Sequence, residues 1–222
     1  MDLKEVLTRI QLKQSAAEYI QLLDALTAFP GEEAARAAGA FLRHPDYLVR
    51  SKAFAVLNRI PHLALLPDLI TVLREEKDEE FRLRALEVVQ KLGEREAISE
   101  LIPFLHDRDP LVVRGTIVAL GGIGGEEAAE SILHFAASPQ GRIVRREVVQ
   151  EALAFCLQKV PEPERFLERL GERDKGIKRY LRGLQPEVPA QPRFTVYPAA
   201  DYFSVQAKAR EIDYKLYKRL IG

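Results

Sequence analysis

The sequence is poor in the residues from which most catalytic and metal-binding sites are built. Its 222 residues contain one cysteine, four histidines and no tryptophan. A single cysteine excludes an internal disulfide, and Cys156 lies in the apolar run ALAFCL, which is typical of a small core residue. The histidines, His44, His62, His106 and His134, occur singly, without the i, i+4 pairing of a metal site. We therefore predict no metal ion, no cofactor and no catalytic residue.

Long apolar runs are missing as well. No stretch approaches the roughly 18 apolar residues that suggest a membrane-spanning helix. The N-terminal residues MDLKEVLTRIQLKQ mix acids and bases, whereas a signal peptide needs an uninterrupted apolar segment. We expect a cytoplasmic protein that does not associate with a membrane. Its hydrophobic content of 47% is ample for a buried core.

The chain has no net charge, because 33 bases balance 33 acids, but the charges are unevenly distributed. Residues 173–222 contain eleven Lys and Arg against five Asp and Glu, a net charge of +6. Residues 1–172 therefore carry a net charge of −6. Such an asymmetry is typical of a partner-binding terminal segment.

Four segments repeat the same order of residue types: a turn, an apolar residue and an arginine. They are HPDYLVRSKAFAVLNRI, KDEEFRLRALEVVQKLG, DPLVVRGTIVALGGIG and SPQGRIVRREVVQEALAFCL. Their arginines, Arg50, Arg82, Arg114 and Arg145, are separated by 32, 32 and 31 residues. A further apolar segment, such as LPDLITVL, precedes each unit. This pattern predicts a repeating pair of antiparallel helices.

Apolar residues within the units recur at helical spacing. In the second unit they are Phe81, Ala85, Val88, Val89 and Leu92. This spacing predicts one broad buried stripe along the second helix of the pair.

The segment DPLVVR followed by ALGGIGGEEA resembles the HEAT-repeat family, and in particular the HEAT-like repeats named after phycobilisome lyases. The resemblance extends over roughly residues 30–160. It implies an all-α, right-handed α-solenoid of four to six helical hairpins, here with a C-terminal appendage. There are departures, since the third arginine stands one residue late relative to Pro110 and Leu120, and the fourth turn, SPQGR, lacks the usual aspartate.

The resemblance also implies a structural role for the four arginines. In HEAT proteins this arginine pairs with acids of the turns, so the arginines would form a ladder that fixes the register of the repeats. The acids placed for this role are Asp46, Asp78, Asp107 and Asp109.

The glycine-rich stretch VALGGIGGEEA resembles a phosphate-binding loop at first sight. A dinucleotide fingerprint that begins at Gly122 needs its third glycine at position 127, where Glu127 stands. Glu126 and Glu127 would repel phosphate but suit the N-terminus of a helix. We interpret the glycines as the end of one helix and the turn to the next.

Two enzymatic groups with HEAT repeats are disfavoured by the sequence. The deoxyhypusine hydroxylases carry repeated His-Glu pairs for iron, and this chain contains no such dipeptide. The HEAT-like alkylpurine DNA glycosylases use tryptophan at the lesion, and tryptophan is absent. A lyase-type accessory activity has no compact motif and stays open.

The sequence divides into five predicted parts. They are capping helices at 1–30, HEAT-like repeats at 31–160, a degenerate last repeat at 161–184, a proline-rich linker at 185–198 and an amphipathic helical tail at 199–222.

The second helices of the pairs are expected to line the concave face and to bind a protein partner. Residues 111–121 between the flanking charged helices are nearly uncharged, which suits a partner helix or peptide. The polar candidates on this face are Lys52, Asn58, Arg84, Glu87, Lys91, Glu147 and Glu151.

The tail admits two interpretations. In the first, an amphipathic stripe folds back on the solenoid or docks to a partner, with contact candidates Tyr202, Phe203, Ile212, Leu216 and Tyr217. In the second, the strand RFTVY and two helices form a ribbon-helix-helix unit. Its Arg193, Thr195 and Tyr197 would then face DNA.

Together these observations favour a non-catalytic adaptor that binds a protein through its concave face and its tail. The alternatives are a DNA-binding protein that uses the tail, against which the net acidic remainder of the chain argues, and a lyase-type accessory factor.

Overall fold

A computed structural model of the chain describes residues 1–12 and 14–182, and helices dominate this part of the chain. Three short 3-10 helices (Leu63–Leu65, Ile102–His106 and Pro139–Ile143) lie between α-helices. The α-helices are α1 (Leu3–Ile10), α2 (Ala16–Leu26), α3 (Glu32–Gly39), α4 (Tyr47–Leu57), α5 (Leu66–Glu75), α6 (Glu79–Leu92), α7 (Glu96–Leu101), α8 (Pro110–Ile123), α9 (Glu126–Ala137), α10 (Arg146–Gln158), α11 (Pro163–Arg173) and α12 (Lys175–Arg182).

Side-chain caps explain where several of these helices begin. Ser15 and Glu18 form a capping box at α2, in which each side chain binds the other residue's backbone N–H. The second helices α4, α6 and α8 each follow an aspartate, and its carboxylate accepts a backbone N–H of the first turn. These three caps are Asp46, Asp78 and Asp109.

The helices form successive antiparallel pairs that stack on one another. The second helices pack in the order α2, α4, α6, α8 and α10, each on the next. The first helices form the other layer, in which α1 contacts α3, α5 contacts α7, and α9 contacts the 3-10 helix Ile102–His106. The last pair departs from this order, because its second helix, α12, packs on α9. The predicted all-α stack of helical hairpins is therefore confirmed, with six pairs between α1 and α12.

One apolar core runs through the stack from Val6 on α1 to Ile177 on α12. The stripe predicted for the second unit is confirmed, since Phe81, Ala85 and Val88 are fully buried. Burial of apolar side chains between successive repeats, rather than helix propensity, supplies most of the stability of a stacked helical protein.

The glycine-rich stretch is the end of α8 and the turn to α9. Gly121 lies within the helix, which continues to Ile123. Gly124 and Gly125 have φ angles of 78° and 93°, values that residues with a side chain rarely adopt. The interpretation of this stretch as a helix end and a tight turn is confirmed.

The described residues fall within one structural unit. Residues 1–30 contain α1 and α2, and residues 161–184 contain α11 and α12. The predicted linker at 185–198 and tail at 199–222 lie outside the described residues. Within residues 1–12 and 14–182, no helix is both long and apolar enough to cross a membrane.

Candidate partner-binding surface

The candidate surface consists of the sides of α4, α6, α8 and α10 that face away from the first helices, and we call it the second-helix surface. Successive second helices pack directly on one another, so the polar candidates of α4 and α6 become neighbours. The structure brings together Asn58, Glu87 and Lys91. It leaves Glu147 exposed on α10, a separate helix.

Asn58 at the end of α4 is bound by two side chains of α6. Its Nδ2 donates to Oε2 of Glu87 at 3.1 Å, and Nζ of Lys91 donates to its backbone carbonyl at 3.1 Å. Burial raises the pKa of Glu87, although the hydrogen bond from Asn58 and the charges of Arg84 and Lys91 oppose the rise. These groups therefore join two repeats and do not extend freely into solvent.

Arg84 forms a buried network with residues of both helices. Its guanidinium donates to Oε1 of Glu80 from Nε at 3.0 Å and from Nη2 at 2.6 Å. Nη1 donates to Oγ of Ser51 on α4 at 3.0 Å, and the hydroxyl of Tyr47 donates to Oε2 of Glu80 at 2.7 Å. Because both charged side chains are nearly buried, this network holds α4 against α6 in one geometry.

Phe81 fills the space beneath this network. Its ring stacks on Phe54 with 5.5 Å between centroids and meets Tyr47 edge-on at 5.2 Å. The guanidinium carbon of Arg50 lies 4.4 Å from the ring centroid, and that of Arg84 lies at 5.9 Å. Two arginines thus contact one buried ring, which is a favourable cation–π arrangement.

The remaining polar candidates connect neighbouring helices or border them. Nζ of Lys52 on α4 forms an ion pair with Asp24 on α2. Glu151 is half-buried on α10, and its Oε1 has no hydrogen-bond partner among the described residues. Nζ of Lys159, just beyond α10, donates to the carbonyls of Gly122 at 3.3 Å and Ile123 at 2.6 Å.

Helix α8 forms an uncharged strip in the middle of the second-helix surface. Between Arg114 and the end of the helix it carries no charged residue, and Gly115, Val118 and Gly122 are half-buried. A Cβ atom at Gly115 would lie 2.9 Å from Cδ1 of Leu86, and one at Gly122 would lie 2.5 Å from Nε2 of Gln90. The glycines therefore let side chains of α6 lean across α8, which makes the strip shallow and narrow.

Arg82, the second arginine of the series, has a structural role. Its guanidinium forms a two-pronged ion pair with Asp107, and its Nε donates to the carbonyl of Leu73 at 2.8 Å. Arg50 donates to the carbonyl of His44 at 3.0 Å. Arg114 is half-buried on α8.

The other acids and the last arginine of the ladder occupy different places from those expected. Asp46, Asp78 and Asp109 each accept a backbone N–H at the start of a helix, whereas Asp107 pairs with Arg82. Arg145 is an exposed residue at the N-cap position of α10, because the 3-10 helix Pro139–Ile143 delays the start of that helix. The ladder predicted from the even spacing therefore does not extend to Arg145.

Several residues of the second-helix surface were not predicted from the sequence. Asp24, Tyr47, Ser51 and Glu80 take part in its contacts, and only the i, i+4 spacing of Glu80 and Arg84 gave a signal. The tail candidates Tyr202, Phe203, Ile212, Leu216 and Tyr217, and the proposed DNA-facing Arg193, Thr195 and Tyr197, lie outside the described residues.

Comparison with known protein families identifies the repeats. Residues 66–154, from the start of α5 into α10, match the family model of HEAT repeats. This part of the chain consists of HEAT repeats. The match does not reach the narrower group of phycobilisome-lyase repeats, which stays an expectation. No curated protein matches the chain significantly.

The HEAT repeats bring no group of three or more His, Cys, Asp or Glu side chains into a metal-binding arrangement, as far as the described residues extend. His134 lies 3.7 Å from Glu130 and 3.4 Å from Asp174, both at the surface. Nδ1 of His106 is 2.7 Å from Oε1 of Gln140. These histidines therefore connect elements of the first-helix layer.

Proposed function

We propose that this HEAT-repeat protein is a non-catalytic scaffold that binds an extended or helical segment of a protein partner along the second-helix surface. HEAT repeats commonly serve as protein-interaction scaffolds, and the match covers the helices that form the centre of this surface. The binding segment would cross α6, α8 and α10.

The uncharged strip on α8 is the observation that carries this proposal. Val118, Gly115 and Gly122 offer uncharged, half-buried area on α8, and the neighbouring helices carry charged candidates, Glu87 and Lys91 on α6 and Glu147 on α10. An apolar centre within a polar rim is the usual anatomy of a protein-binding surface. Because the glycines let side chains of α6 lie flat across α8, the strip is shallow, and an amphipathic helix could lay its apolar side there.

The contacts between α4 and α6 support the proposal because they fix the rim in advance. Asn58, Glu87 and Lys91 are already bound to one another, so their rotamers are restricted before a partner arrives. Binding to a preorganised surface loses less side-chain entropy than binding to a mobile one.

The proposal of a non-catalytic role has its own support. Burial raises the pKa of Cys156 to about 12, so the thiolate that a nucleophile needs is scarce near neutral pH. Its Sγ lies 3.7 Å from the carbonyl of Leu120, inside the interface between α8 and α10. This cysteine is therefore suited to packing.

A single substitution on α8 tests the proposed surface. Val118→Arg places bulk and charge on the uncharged strip, and Ser99→Arg makes the same charge change on the exposed side of α7. Photo-crosslinkers at the same two positions in the full chain would identify the proteins in a native lysate that contact each side. We expect a protein that crosslinks from position 118 only, and whose purified form binds the parent and Ser99→Arg but not Val118→Arg.

Circular dichroism and thermal melting of both variants verify that each is folded. Equal binding of the crosslinked protein to parent and Val118→Arg would contradict the proposed surface. So would crosslinks that arise equally from both positions.

We also propose that the tail provides a second contact, because its apolar stripe requires a cover. Ile212→Asp with Leu216→Asp interrupts that stripe, and Ser204→Asp with Gln206→Asp adds the same charge beside it. We expect the first double variant to lose partner binding or self-association, and the second double variant to keep both. Identical binding and identical mass in solution for both double variants would reject this role.

A further inference from the structure

Five arginines lie at the start of α10 or the end of α12, two elements that are joined by a contact of Arg146 with Tyr180. Arg142 lies in the 3-10 helix before α10, and Arg145 and Arg146 begin that helix. Arg179 and Arg182 lie in the last turn of α12. We call these five residues the arginine patch.

Contacts of Arg146 join the two halves of the patch. Its Nη2 donates to the carbonyl of Tyr180 at 3.4 Å, and its guanidinium carbon lies 5.4 Å from the centroid of the Tyr180 ring. The neighbouring Arg145 and Arg179 are therefore brought to the same part of the surface.

The patch is exposed and, among the described residues, none of its five guanidinium groups forms an ion pair with an acid. The nearest acids in sequence are Glu147 and Asp174. Asp174 already accepts the backbone N–H groups of Gly176 and Ile177, and its Oδ2 lies 3.4 Å from His134. The five guanidinium groups of the patch therefore keep their positive charge without an ion-pair partner among the described residues.

Stability does not explain this arrangement. The N-terminus of a helix carries partial positive charge and favours acids, as at Asp46, Asp78 and Asp109 in the other repeats. At α10 two arginines stand at the first positions, ahead of the acidic Glu147 in the first turn, and no side chain caps the helix. A local arrangement that opposes the preference of the helix indicates a requirement other than folding.

We propose that the arginine patch binds an acidic segment of a protein partner, in which Asp and Glu side chains flank an apolar residue. Guanidinium groups pair with carboxylates through two parallel hydrogen bonds, which gives Arg its preference over Lys at such sites. Ile143, next to Arg142, is 42% exposed and offers an apolar contact within the patch. The arginine patch consists of other residues than those proposed for the second-helix surface, so the proposal does not rest on that surface.

The same observations disfavour nucleic acid as the ligand. A branched aliphatic residue has no flat face for stacking with bases, and the ring of Tyr180 is half-buried beneath Arg146. Residues 1–172 carry a net charge of −6, which repels a long polyanion but tolerates a short acidic segment.

Fluorescence anisotropy with the full chain tests the proposal. The probe is a labelled peptide of about 12 residues that alternates Glu and Asp with Leu, in about 150 mM salt. One variant combines the substitutions Arg142→Glu, Arg145→Glu and Arg179→Glu. It should bind this peptide at least about tenfold more weakly, because three attractive charges become repulsive. A peptide with Gln and Asn in place of the acids should not bind.

The matched control inverts three exposed bases elsewhere, Lys4→Glu, Lys77→Glu and Arg108→Glu, and should change the affinity less than about twofold. Ile143→Ser should weaken binding of the peptide but should not change binding of an oligothymidylate of equal charge. Circular dichroism verifies the fold of each variant.

Three results would overturn the proposal. They are absence of peptide binding to the parent, equal losses in the patch variant and the control variant, and tighter binding of oligothymidylate than of the peptide. The last result would assign the patch to nucleic acid.

Discussion

Arg82 on α6 and Asp107 in the turn before α8 face each other across two successive repeats, and two hydrogen bonds join their side chains. Nη1 lies 3.1 Å from Oδ1, and Nη2 binds Oδ2. Both side chains are largely shielded from solvent, with 14% and 16% exposure. A two-pronged pair in this setting fixes both distance and orientation between the repeats.

We predict that Asp107→Asn lowers the free energy of unfolding by about 1–3 kcal/mol at pH 7, because a charged acceptor of a shielded guanidinium is lost. The exposed pair between Arg74 and Glu100 gives the control, and Glu100→Gln should change stability by less than about 1 kcal/mol. Urea denaturation of both variants measures the difference. Equal losses would contradict the special role of the shielded pair.

The same variant should show a defined pH dependence. Burial raises the pKa of Asp107, but hydrogen bonds from Arg82 and from the backbone N–H of Asp109 outweigh this effect, so the pKa lies below its ordinary value. A carboxyl group with a lowered pKa stabilises the fold above its unfolded pKa of about 4 and loses this effect as the pH falls further. The stability difference between parent and Asp107→Asn should therefore be constant near neutrality and shrink below about pH 4.

Glu87 should show the opposite pH dependence. Burial raises its pKa, so the folded state favours the protonated form, and that contribution is lost as the pH rises from about 4 through the folded pKa. We predict that Glu87→Gln matches the parent at low pH and is relatively more stable at pH 7. Thermal melts across pH measure the difference, with Glu33→Gln at an exposed position as the matched control. A Glu87→Gln variant that loses stability only at neutral pH would show that the ionised carboxylate is required.

Two glycines inside helices should respond in opposite directions to alanine. A Cβ at Gly121 would lie 2.9 Å from Cα of Ala152, whereas one at Gly171 would find its nearest neighbour at 3.7 Å. We predict that Gly121→Ala lowers stability by about 1–3 kcal/mol through overpacking. Gly171→Ala should raise it by up to about 1 kcal/mol through helix propensity. Melting temperatures that move together would show that α8 and α10 can separate at little energetic cost.

Cys156 should report unfolding through its reactivity. Because burial raises its pKa to about 12, we expect negligible alkylation by iodoacetamide at pH 8 in native buffer and rapid alkylation in urea. Cysteine introduced at the exposed Ser99, in a background of Cys156→Ala, should react at once in both conditions. Mass spectrometry measures the modified fraction. Rapid native labelling of Cys156 would place it outside the core.

The repeat pattern made the fold predictable because it reflects local rules. Apolar spacing at Phe81, Ala85 and Val88 anticipated the buried face of α6, and the aspartates before α4, α6 and α8 mark helix starts. Such signals depend on residues a few positions apart, which a sequence displays directly.

The candidate surface was less predictable, because its contacts join residues about one repeat apart. The sequence offers Asn58 and Glu87 as partner-binding candidates, but the close stacking of α4 on α6 joins them to each other by a hydrogen bond. Whether two such side chains meet depends on the angle and the distance between their helices, which the sequence does not display. The position of Arg145 differs from that of Arg82 for a local reason. Pro139 begins a 3-10 helix that shifts the start of α10 relative to the repeat.

The uncapped start of α10 has a thermodynamic consequence. Amide groups that Asp46, Asp78 and Asp109 satisfy in the earlier repeats have no side-chain acceptor here, and such a cap is typically worth about 1 kcal/mol. The first turn of α10 should therefore open more often and exchange its amide hydrogens sooner. A carboxylate supplied from outside could take the missing position, so that occupancy by a ligand and local order rise together, visible as a ligand-dependent increase in melting temperature.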